Sequence, residues 1–168
     1  SKFVRFKPLI VTGIILLFAA TTFTPTISQS WAKIEEAPSS SLVDSLKNLD
    51  DGSDVTTGVL LAPLSQSHLA QYYSRKRTFM NLDFLLVEDV EEKYEDYKKM
   101  YSTIYETDAL RLFDRYGISH ILYTPVVQKT LGVDKISYVD DKDCFEDVID
   151  VHNNIEIYNI LCTLEEYS

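Results

Sequence analysis

The chain has 168 residues, 45% of them hydrophobic, a length and composition that fit one globular domain and exclude a disordered polypeptide. Its net charge is −10, and residues 1–30 hold three basic residues and no acidic one, which leaves a net charge of −13 for residues 31–168. A surface this acidic repels the phosphates of nucleic acids, so we expect no nucleic-acid partner.

The first 30 residues have the pattern of a membrane-spanning helix. Residues 9–27 contain no charged residue, and at about 1.5 Å per residue a helix of this length approaches the ~30 Å thickness of the hydrocarbon layer. Basic residues precede this segment, whereas Trp31, Glu35 and Glu36 follow it. The positive-inside rule therefore predicts a transmembrane helix within residues 1–30, with a basic cytoplasmic flank, and an extracytoplasmic domain over residues 31–168. Membrane lipid is the expected partner of residues 9–27.

A cleaved signal peptide has a similar basic start and apolar body, and it is the main alternative for this segment. A buried helix of a soluble domain is a third interpretation. No clear small-x-small cleavage site precedes Trp31, which favours the retained helix. Both leading interpretations export the rest of the chain. Because the first residue is Ser rather than Met, we expect further chain to precede it.

Two elements open the exported part. Ser41 is placed to cap a helix whose apolar stripe consists of Leu42, Leu46 and Leu49. The run "VTTGVLLAP", residues 55–63, is apolar and rich in β-branched residues, which is typical of a buried strand.

A helix starting near Ser65 and a candidate strand over residues 76–82 come next. Residues 87–105 predict a longer helix with an apolar side and, on the other side, a Glu95–Lys99 ion pair. The apolar side carries Tyr94, Tyr97, Tyr101 and Ile104. We interpret this tyrosine stripe as core, although such rings can also form a platform for stacking sugars.

The next helix begins at Thr107, which is placed to cap it, and ends at Gly117. Its apolar stripe consists of Leu110, Phe113 and Tyr116. "ISHILYTP", residues 118–125, follows as a strand, and residues 126–143 have the composition of an irregular acidic loop.

The stretch "CFEDVIDVHNNIEIYNILC", residues 144–162, predicts a β-hairpin that turns at "HNN". Both halves alternate apolar and polar residues, and centring the hairpin on Asn153 makes the apolar faces coincide. The predicted pairs are Val151 with Ile155, Ile149 with Ile157, Phe145 with Leu161, and Cys144 with Cys162. A cross-strand disulfide between the two cysteines would agree with an oxidising compartment, and two free thiols in a half-buried sheet are the alternative.

Strand, helix, strand, helices and strand in this order predict parallel pairing with right-handed crossovers. The closing hairpin makes the sheet mixed. The predicted fold class is therefore α/β: a small mixed sheet with parallel core strands, flanking helices in two or three layers and a C-terminal β-hairpin, preceded by one transmembrane helix.

Several segments together resemble a known family. They are the apolar N-terminal helix, "YYSRKRTFMNLDF" at residues 72–84, "LRLFDRYGISHILYTP" at residues 110–125, and the closing hairpin. Residues 55–162 resemble the C-terminal extracytoplasmic domain of polytopic membrane glycosyltransferases that use polyprenyl-linked sugar donors, particularly in archaea. These enzymes are relatives of the oligosaccharyltransferase catalytic subunit and of protein mannosyltransferases.

The resemblance implies a non-catalytic, accessory domain that covers the active site or helps to place the acceptor. Lipid-linked sugar or acceptor would then be partners through the parent protein. One departure limits what is carried over: oligosaccharyltransferases have a WWDYG motif after the strand, where this chain reads "LAPLSQS", residues 61–67. The motif's role in holding the acceptor peptide is therefore not assigned to this chain.

Candidate ligand-binding residues follow the first predicted strand, because ligands of open α/β sheets favour the carboxyl ends of strands. They are Ser65, Gln66 and His68, with Thr124 and Pro125 alongside. Ser65 has an alternative interpretation as a helix cap, and His68 as an ordinary surface residue of a helix.

In the cluster "RKR", residues 75–77, Arg75 and Arg77 are further candidates for binding the phosphate of a lipid-linked sugar. Solvated turn charges, or pairing with Asp83 or Glu88, are the alternative. His120 lies within an apolar strand and is interpreted as an edge residue or one with a hydrogen-bond partner.

No catalytic residue, cofactor or metal is predicted. The sequence has no GxSxG, P-loop, GxGxxG or CxxC motif, and its three histidines are scattered. Two functions are carried forward: an accessory domain of a membrane glycosyltransferase-like protein, and a single-pass, membrane-anchored sensor or ligand-binding module.

Overall fold

The computed structural model of the chain describes residues 39–49, 58–83, 89–152 and 154–163, together with Thr12. Apart from Thr12, the predicted transmembrane segment and the predicted boundary at residues 30–31 lie outside the described residues, and both stay predictions. Among the residues described, no helix has the length and apolar character needed to cross a bilayer. Residues from Ser40 onward form a compact unit.

Helices and strands alternate along the domain. The helices are α1 (Ser40–Asn48), α2 (Ser67–Ser74), α3 (Val90–Ser102), α4 (Glu106–Tyr116) and α5 (Pro125–Leu131). The strands are β1 (Val59–Leu61), β2 (Arg77–Thr78), β3 (Ile118–Tyr123), β4 (Phe145–His152) and β5 (Ile155–Ile160). Short 3₁₀ turns occupy Leu64–Gln66 and Tyr138–Asp140.

The strands form one mixed sheet in the order β2–β1–β3–β5–β4. Strand β1 is parallel to both β2 and β3, whereas β5 is antiparallel to β3 and β4. The predicted α/β class, with parallel core strands, flanking helices and a C-terminal hairpin, is therefore confirmed.

Both faces of the central strands are buried. Consecutive residues of a strand point to opposite faces, and yet Leu60 and Leu61 of β1 and Ile121 and Leu122 of β3 are all 0% exposed. One face packs against α1 and α2, and its buried cluster includes Leu42, Leu46, Leu49, Leu60, Ala70, Leu122, Ile155 and Ile157. The other packs against α3, α4 and α5, and includes Leu61, Tyr97, Met100, Tyr101, Phe113, Ile121, Val127, Phe145 and Tyr158. The domain is therefore a three-layer sandwich.

Helix α5 corrects the prediction that residues 126–143 form an irregular loop. The Oγ1 atom of Thr124 accepts a hydrogen bond from the backbone N–H of Val126, Pro125 occupies the first turn, and Gly132 ends the helix at a φ of 69°. These are the usual signals of a helix start and stop. The helix was missed because it has only seven residues and buries one of them, Val127, so it shows no apolar stripe.

Two predicted caps are also wrong, whereas one predicted stop is confirmed. Ser41 lies inside α1, which begins at Ser40, and Thr107 lies inside α4, which begins at Glu106 after Tyr105. Gly117 does end α4: its φ is 64°, and its backbone N–H donates to carbonyls of the last turn. A boundary defined by a left-handed glycine is easier to locate from sequence than one defined by a polar residue among several.

The hairpin has a different register from the predicted one. Ile149 pairs with Ile157 as expected, but Phe145 pairs with Ile160 rather than with Leu161, and Ile155 pairs with His152 rather than with Val151. Register shifts on both sides of Ile149 separate the two ends of the hairpin. A shift of one residue moves a side chain to the other face, so Phe145 lies in the cluster opposite Ile157 and Leu161 is 50% exposed. Because β5 buries Ile157 on one face and Tyr158 on the other, apolar alternation alone does not decide this register.

The predicted disulfide joins the two ends of the hairpin. Cys144 and Cys162 are bonded, with their Cα atoms 4.8 Å apart, within the usual range for disulfides. The sulfur of Cys144 is buried beside Phe145, and the backbone N–H of Leu161 donates to the carbonyl of Cys144 at 2.9 Å. The bridge therefore fastens the strand ends where the β4–β5 pairing finishes.

Tyrosine hydroxyl groups join the helices of one layer to the rest of the domain. Tyr101 of α3 donates to the carbonyl oxygen of Leu122 at 3.0 Å, and Tyr138 donates to the carbonyl oxygen of Met100. Burial raises the pKa of Tyr101 and of Tyr138 well above the usual value, because ionisation would leave a charge without solvent. Tyr97 and Tyr101 of the predicted stripe are therefore core, as predicted, whereas Tyr94 is 36% exposed and Ile104, beyond the end of α3, is 67% exposed.

The predicted Glu95–Lys99 pair is not formed. Glu95 contacts Lys98 instead, with Nζ and Oε1 2.6 Å apart, and Lys99 lies 3.3 Å from Asp108 of α4. The helix spacing allows partners at both three and four residues, and the neighbouring helix offers Lys99 an alternative.

The disulfide is expected to stabilise the folded chain by about 3 kcal/mol, since it closes a loop of 18 residues in the unfolded state. Urea denaturation of the full chain with and without a reductant measures this difference. The Cys144→Ala/Cys162→Ala variant is the control: its midpoint should match that of the reduced chain and should not respond to the reductant. An unchanged midpoint of the wild-type chain, after alkylation shows both thiols to be free, would contradict the prediction.

Candidate functional site

The predicted ligand-binding edge at the carboxyl ends of β1 and β3 brings Gln66 and Thr124 together. The Oγ1 atom of Thr124 donates to Oε1 of Gln66 at 2.9 Å, and Thr124 is 1% exposed. This bond ties the turn after β1 to the start of α5. Both side chains are therefore engaged in holding the edge together.

The neighbouring candidates Ser65 and His68 are exposed. Ser65 lies in the 3₁₀ turn and does not cap α2, which follows Gln66. The Nε2 atom of His68 lies 3.6 Å from Oδ2 of Asp83, and both side chains are more than half exposed. A contact of this kind contributes little to stability in water.

The arginines Arg75 and Arg77 lie at the other end of the sheet. Helix α2 runs back along β1, and Arg77 of β2 pairs with Val59, the first residue of β1. Arg75 ends α2 in a left-handed conformation, with a φ of 55°. The structure therefore does not bring these arginines together with Ser65, Gln66 and His68. Of their predicted alternative partners, Asp83 contacts His68 and Glu88 lies outside the described residues.

An open concavity of about 650 Å³ lies at the same end of the sheet as Arg75 and Arg77, beside the amino ends of the parallel strands. Among the described residues, it is lined by the end of α1, by residues near the starts of β1, β2 and β3, and by residues of β4 and β5. The lining residues are Asn48, Leu49, Gly58, Lys76, Ser119, His120, Glu146, Asp147, Val148 and Asn159. Its size falls within the range of small-ligand sites, about 300–1,000 Å³.

Three polar side chains form a row across the sheet at the floor of this concavity. His120 of β3 pairs with Asn159 of β5, and Asn159 pairs with Glu146 of β4. Directly opposed residues point to the same face, and neighbouring strands are about 4.8 Å apart. The row therefore spans about 10 Å on the face of α1 and α2. Asn48, the last residue of α1, lies at the rim of the concavity.

A β-bulge turns Ser119 toward His120. Val59 pairs with Ile118 and the next residue of β1, Leu60, pairs with His120, so Ser119 is an extra residue in β3. The Oγ atom of Ser119 lies 2.7 Å from Nδ1 of His120, which makes a hydrogen bond that orients the imidazole ring. Bulges re-aim side chains in this way, often beside functional sites.

Gly58 makes room for this arrangement. Its φ is +90°, and a Cβ atom at this position would lie 1.9 Å from Oγ of Ser119. No larger residue fits without moving the serine. The Ser119–His120 pair therefore depends on glycine at the residue before β1.

The concavity contains charges of both signs. Asp147 is paired with Lys142, whose Nζ lies 2.7 Å from its Oδ2. Within the described part of the chain, no ion pair involves Lys76 or Glu146. The same part of the chain offers the side-chain amide of Asn159 no hydrogen-bond partner. An ammonium, a carboxylate and an amide are therefore available to a ligand on one surface.

Sequence reasoning missed this group of residues. From the sequence, His120 is interpreted as an edge residue or as one with a hydrogen-bond partner. Of the basic cluster at residues 75–77, Arg75 and Arg77 are predicted to bind a ligand, whereas Lys76 is not. The available signal was Asn159, a polar residue on the predicted apolar face of β5. The pairing of β5 between β3 and β4, which brings His120 and Glu146 to either side of Asn159, is a long-range feature that no local pattern shows.

One group of potential metal ligands occurs among the residues that the structure describes. Glu106, Asp141 and Cys144 offer ligand atoms within 4.8 Å of one another. The sulfur of Cys144 is bonded to Cys162 and is not a thiolate, the form that binds metals. Two carboxylates remain, and we assign no metal to them.

Replacing Gly58 with alanine is expected to destabilise the domain more than the same change at Gly132. Both glycines have a positive φ, of 90° and 69°, but nothing lies within 4 Å of a Cβ atom at residue 132. Gly132→Ala should cost about 1 kcal/mol for backbone strain alone, and Gly58→Ala should cost more because of the clash with Ser119. Urea denaturation of both variants measures the difference. Equal losses of stability would show that Ser119 does not lie over Gly58.

Comparisons with known proteins identify a related fold. No family model matches this chain, and no curated protein matches it. Among solved structures, the chain is similar to the C-terminal globular domain of an oligosaccharyltransferase from Archaeoglobus fulgidus. The TM-score is 0.53 at 9% sequence identity, over 74% of this chain and 99% of that domain. At this identity the likeness concerns the fold, so we conclude that the chain folds like this archaeal domain.

Proposed function

We propose that residues 31–168 form an accessory, extracytoplasmic domain of a membrane glycosyltransferase-like protein that uses polyprenyl-linked sugar donors. The domain carries no transferase chemistry of its own. It covers the active site of its parent protein or helps to place the acceptor. The observation that carries this proposal is the likeness to the oligosaccharyltransferase domain, which extends over 99% of that domain's length.

The disulfide supports the extracytoplasmic location. Disulfides persist in oxidising environments and are rare where glutathione and thioredoxin keep thiols reduced. Cys144 and Cys162 are both in the bridge, and no free cysteine remains. The apolar segment at residues 9–27, preceded by basic residues, supplies the anchor that this location requires.

A second function remains a candidate because of the concavity at the amino ends of the strands. An open site with unpaired polar groups suits a domain that captures a ligand. A single-pass, membrane-anchored sensor or ligand-binding module would use the same fold and the same anchor. The two functions differ in what the parent protein does: one transfers sugars and the other does not.

Sugar transfer by the full-length polypeptide that contains this chain tests the proposal. Membranes holding that polypeptide are supplied with a labelled polyprenyl-linked oligosaccharide and an acceptor peptide. We expect transfer by the intact protein, reduced transfer after deletion of residues 40–163, and none by the purified chain 1–168. A Leu161→Ala variant at equal abundance is the control, since this exposed residue lies outside the concavity.

Two results would contradict the proposal. Transfer unaffected by the deletion would remove the accessory role. Absence of transfer by the intact protein would favour the sensor or ligand-binding module.

A further inference from the structure

The concavity at the amino ends of the strands has the chemistry of a site for a polyhydroxylated ligand. Its floor is the row of His120, Asn159 and Glu146, Ser119 lies beside that row, and Lys76 lies further along the concavity, before β2. Lys76 offers N–H donors, Glu146 offers acceptors, and the amide of Asn159 offers both. A sugar hydroxyl group also donates and accepts, so the hydroxyl groups spread along a saccharide match the groups spread along this concavity.

The charged groups lie toward opposite ends of the concavity. Lys76 precedes β2, and β1, β3 and β5 lie between β2 and the strand that carries Glu146. Asp147 is opposite Tyr158 of the other face and is paired with Lys142. A neutral or weakly charged ligand with many hydroxyl groups, long enough to reach along the concavity, satisfies the groups left without partners.

The concavity also has an apolar side. Val148, which is 38% exposed, lines it together with the polar row, whereas Leu49 adds little surface because it is 5% exposed. A sugar ring has a face of C–H groups, which lies favourably on side chains of this kind. The volume, about 650 Å³, accommodates a ligand larger than one sugar unit within the usual range of such sites.

The residues of the floor are held in place before any ligand arrives. His120 and Asn159 belong to paired strands in the middle of the sheet. The imidazole of His120 is oriented by Ser119, whose position depends on Gly58. Groups fixed in this way lose little conformational freedom on binding, which favours affinity.

We propose that this concavity is a saccharide-binding subsite, in which Asn159 and Lys76 contact the hydroxyl groups of a di- or oligosaccharide. The choice of a saccharide over other polyols rests on the proposed function, whereas the arrangement of polar groups does not. A sugar chain bound here would be held beside the amino ends of the strands, away from Ser65 and His68.

Binding of disaccharides to the full 168-residue chain, isotope-labelled in a sugar-free zwitterionic detergent, tests the proposal. The probes are N,N′-diacetylchitobiose, α-mannobiose and digalacturonic acid, each added alone. We expect at least one of them to shift the amide NMR signals of Gly58, Lys76, Ser119, His120 and Asn159 saturably, with a Kd of about 1 mM. The Asn159→Ala variant should weaken this binding about tenfold.

The Gln71→Ala variant is the matched control. It removes the same amide group from an exposed position of α2, outside the concavity, and binding should not change. If Asn159→Ala does not fold, Lys76→Ala replaces it, with the same expected direction. Equal weakening by Gln71→Ala and by the concavity variant would overturn the proposal.

Two further outcomes would also overturn it. In one, none of the three disaccharides shifts these signals saturably. In the other, inorganic phosphate or Mg²⁺ shifts them and the disaccharides do not. Neither outcome depends on sugar transfer by the parent protein, so failure of this proposal and failure of the accessory-domain function are distinguishable.

Discussion

Burial of both faces of the central strands is the constraint on which the domain depends. Leu60, Leu61, Ile121 and Leu122 are wholly buried although neighbours along each strand point in opposite directions. At about 25 cal/mol per Å², apolar burial of this kind is the largest favourable contribution to folding. It requires helices on both sides of the sheet, and α1 and α2 cover one face while α3, α4 and α5 cover the other. The hairpin extends the same sheet, and the disulfide fastens its ends.

The candidate site lies at the amino ends of the parallel strands. There the face that α1 and α2 cover elsewhere carries His120, Asn159 and Glu146 instead of buried leucines. The same strands that are buried in the middle of the domain therefore present polar side chains at one edge. Pairing of these strands with the packed part of the sheet fixes the backbone positions of the polar residues. Open α/β sheets commonly bind ligands beyond the carboxyl ends of their strands, and this concavity lies at the opposite edge.

Local sequence signals predict much of this fold, and long-range pairing accounts for what they miss. The leucine stripe of α1 and the glycine stop of α4 each depend on a few adjacent residues, and both are found as expected. The chain also turns between β4 and β5, but His152 belongs to β4 and the predicted centre, Asn153, lies outside the described residues. Helix α5 was missed because it is short and largely exposed. The offset of Phe145 came from register shifts around Ile149, which a regular alternation cannot show.

The row of His120, Asn159 and Glu146 joins three strands far apart in sequence, and only the observed strand order brings them together. The Asn159 side chain was visible as an exception to the apolar pattern, but the pattern did not say which residues would lie beside it.

The central claim is that strands buried on both faces form the rigid frame of the domain and hold the row of His120, Asn159 and Glu146 in place. Hydrogen–deuterium exchange of the full chain tests this claim most directly. The slowest amides should be those of the inner strands β3 and β5, which exchange only through global unfolding. The amides of β2, a strand at the edge of the sheet, should exchange faster. Exchange of β3 and β5 through local opening, at the rate of the edge strand or of α5, would contradict this account.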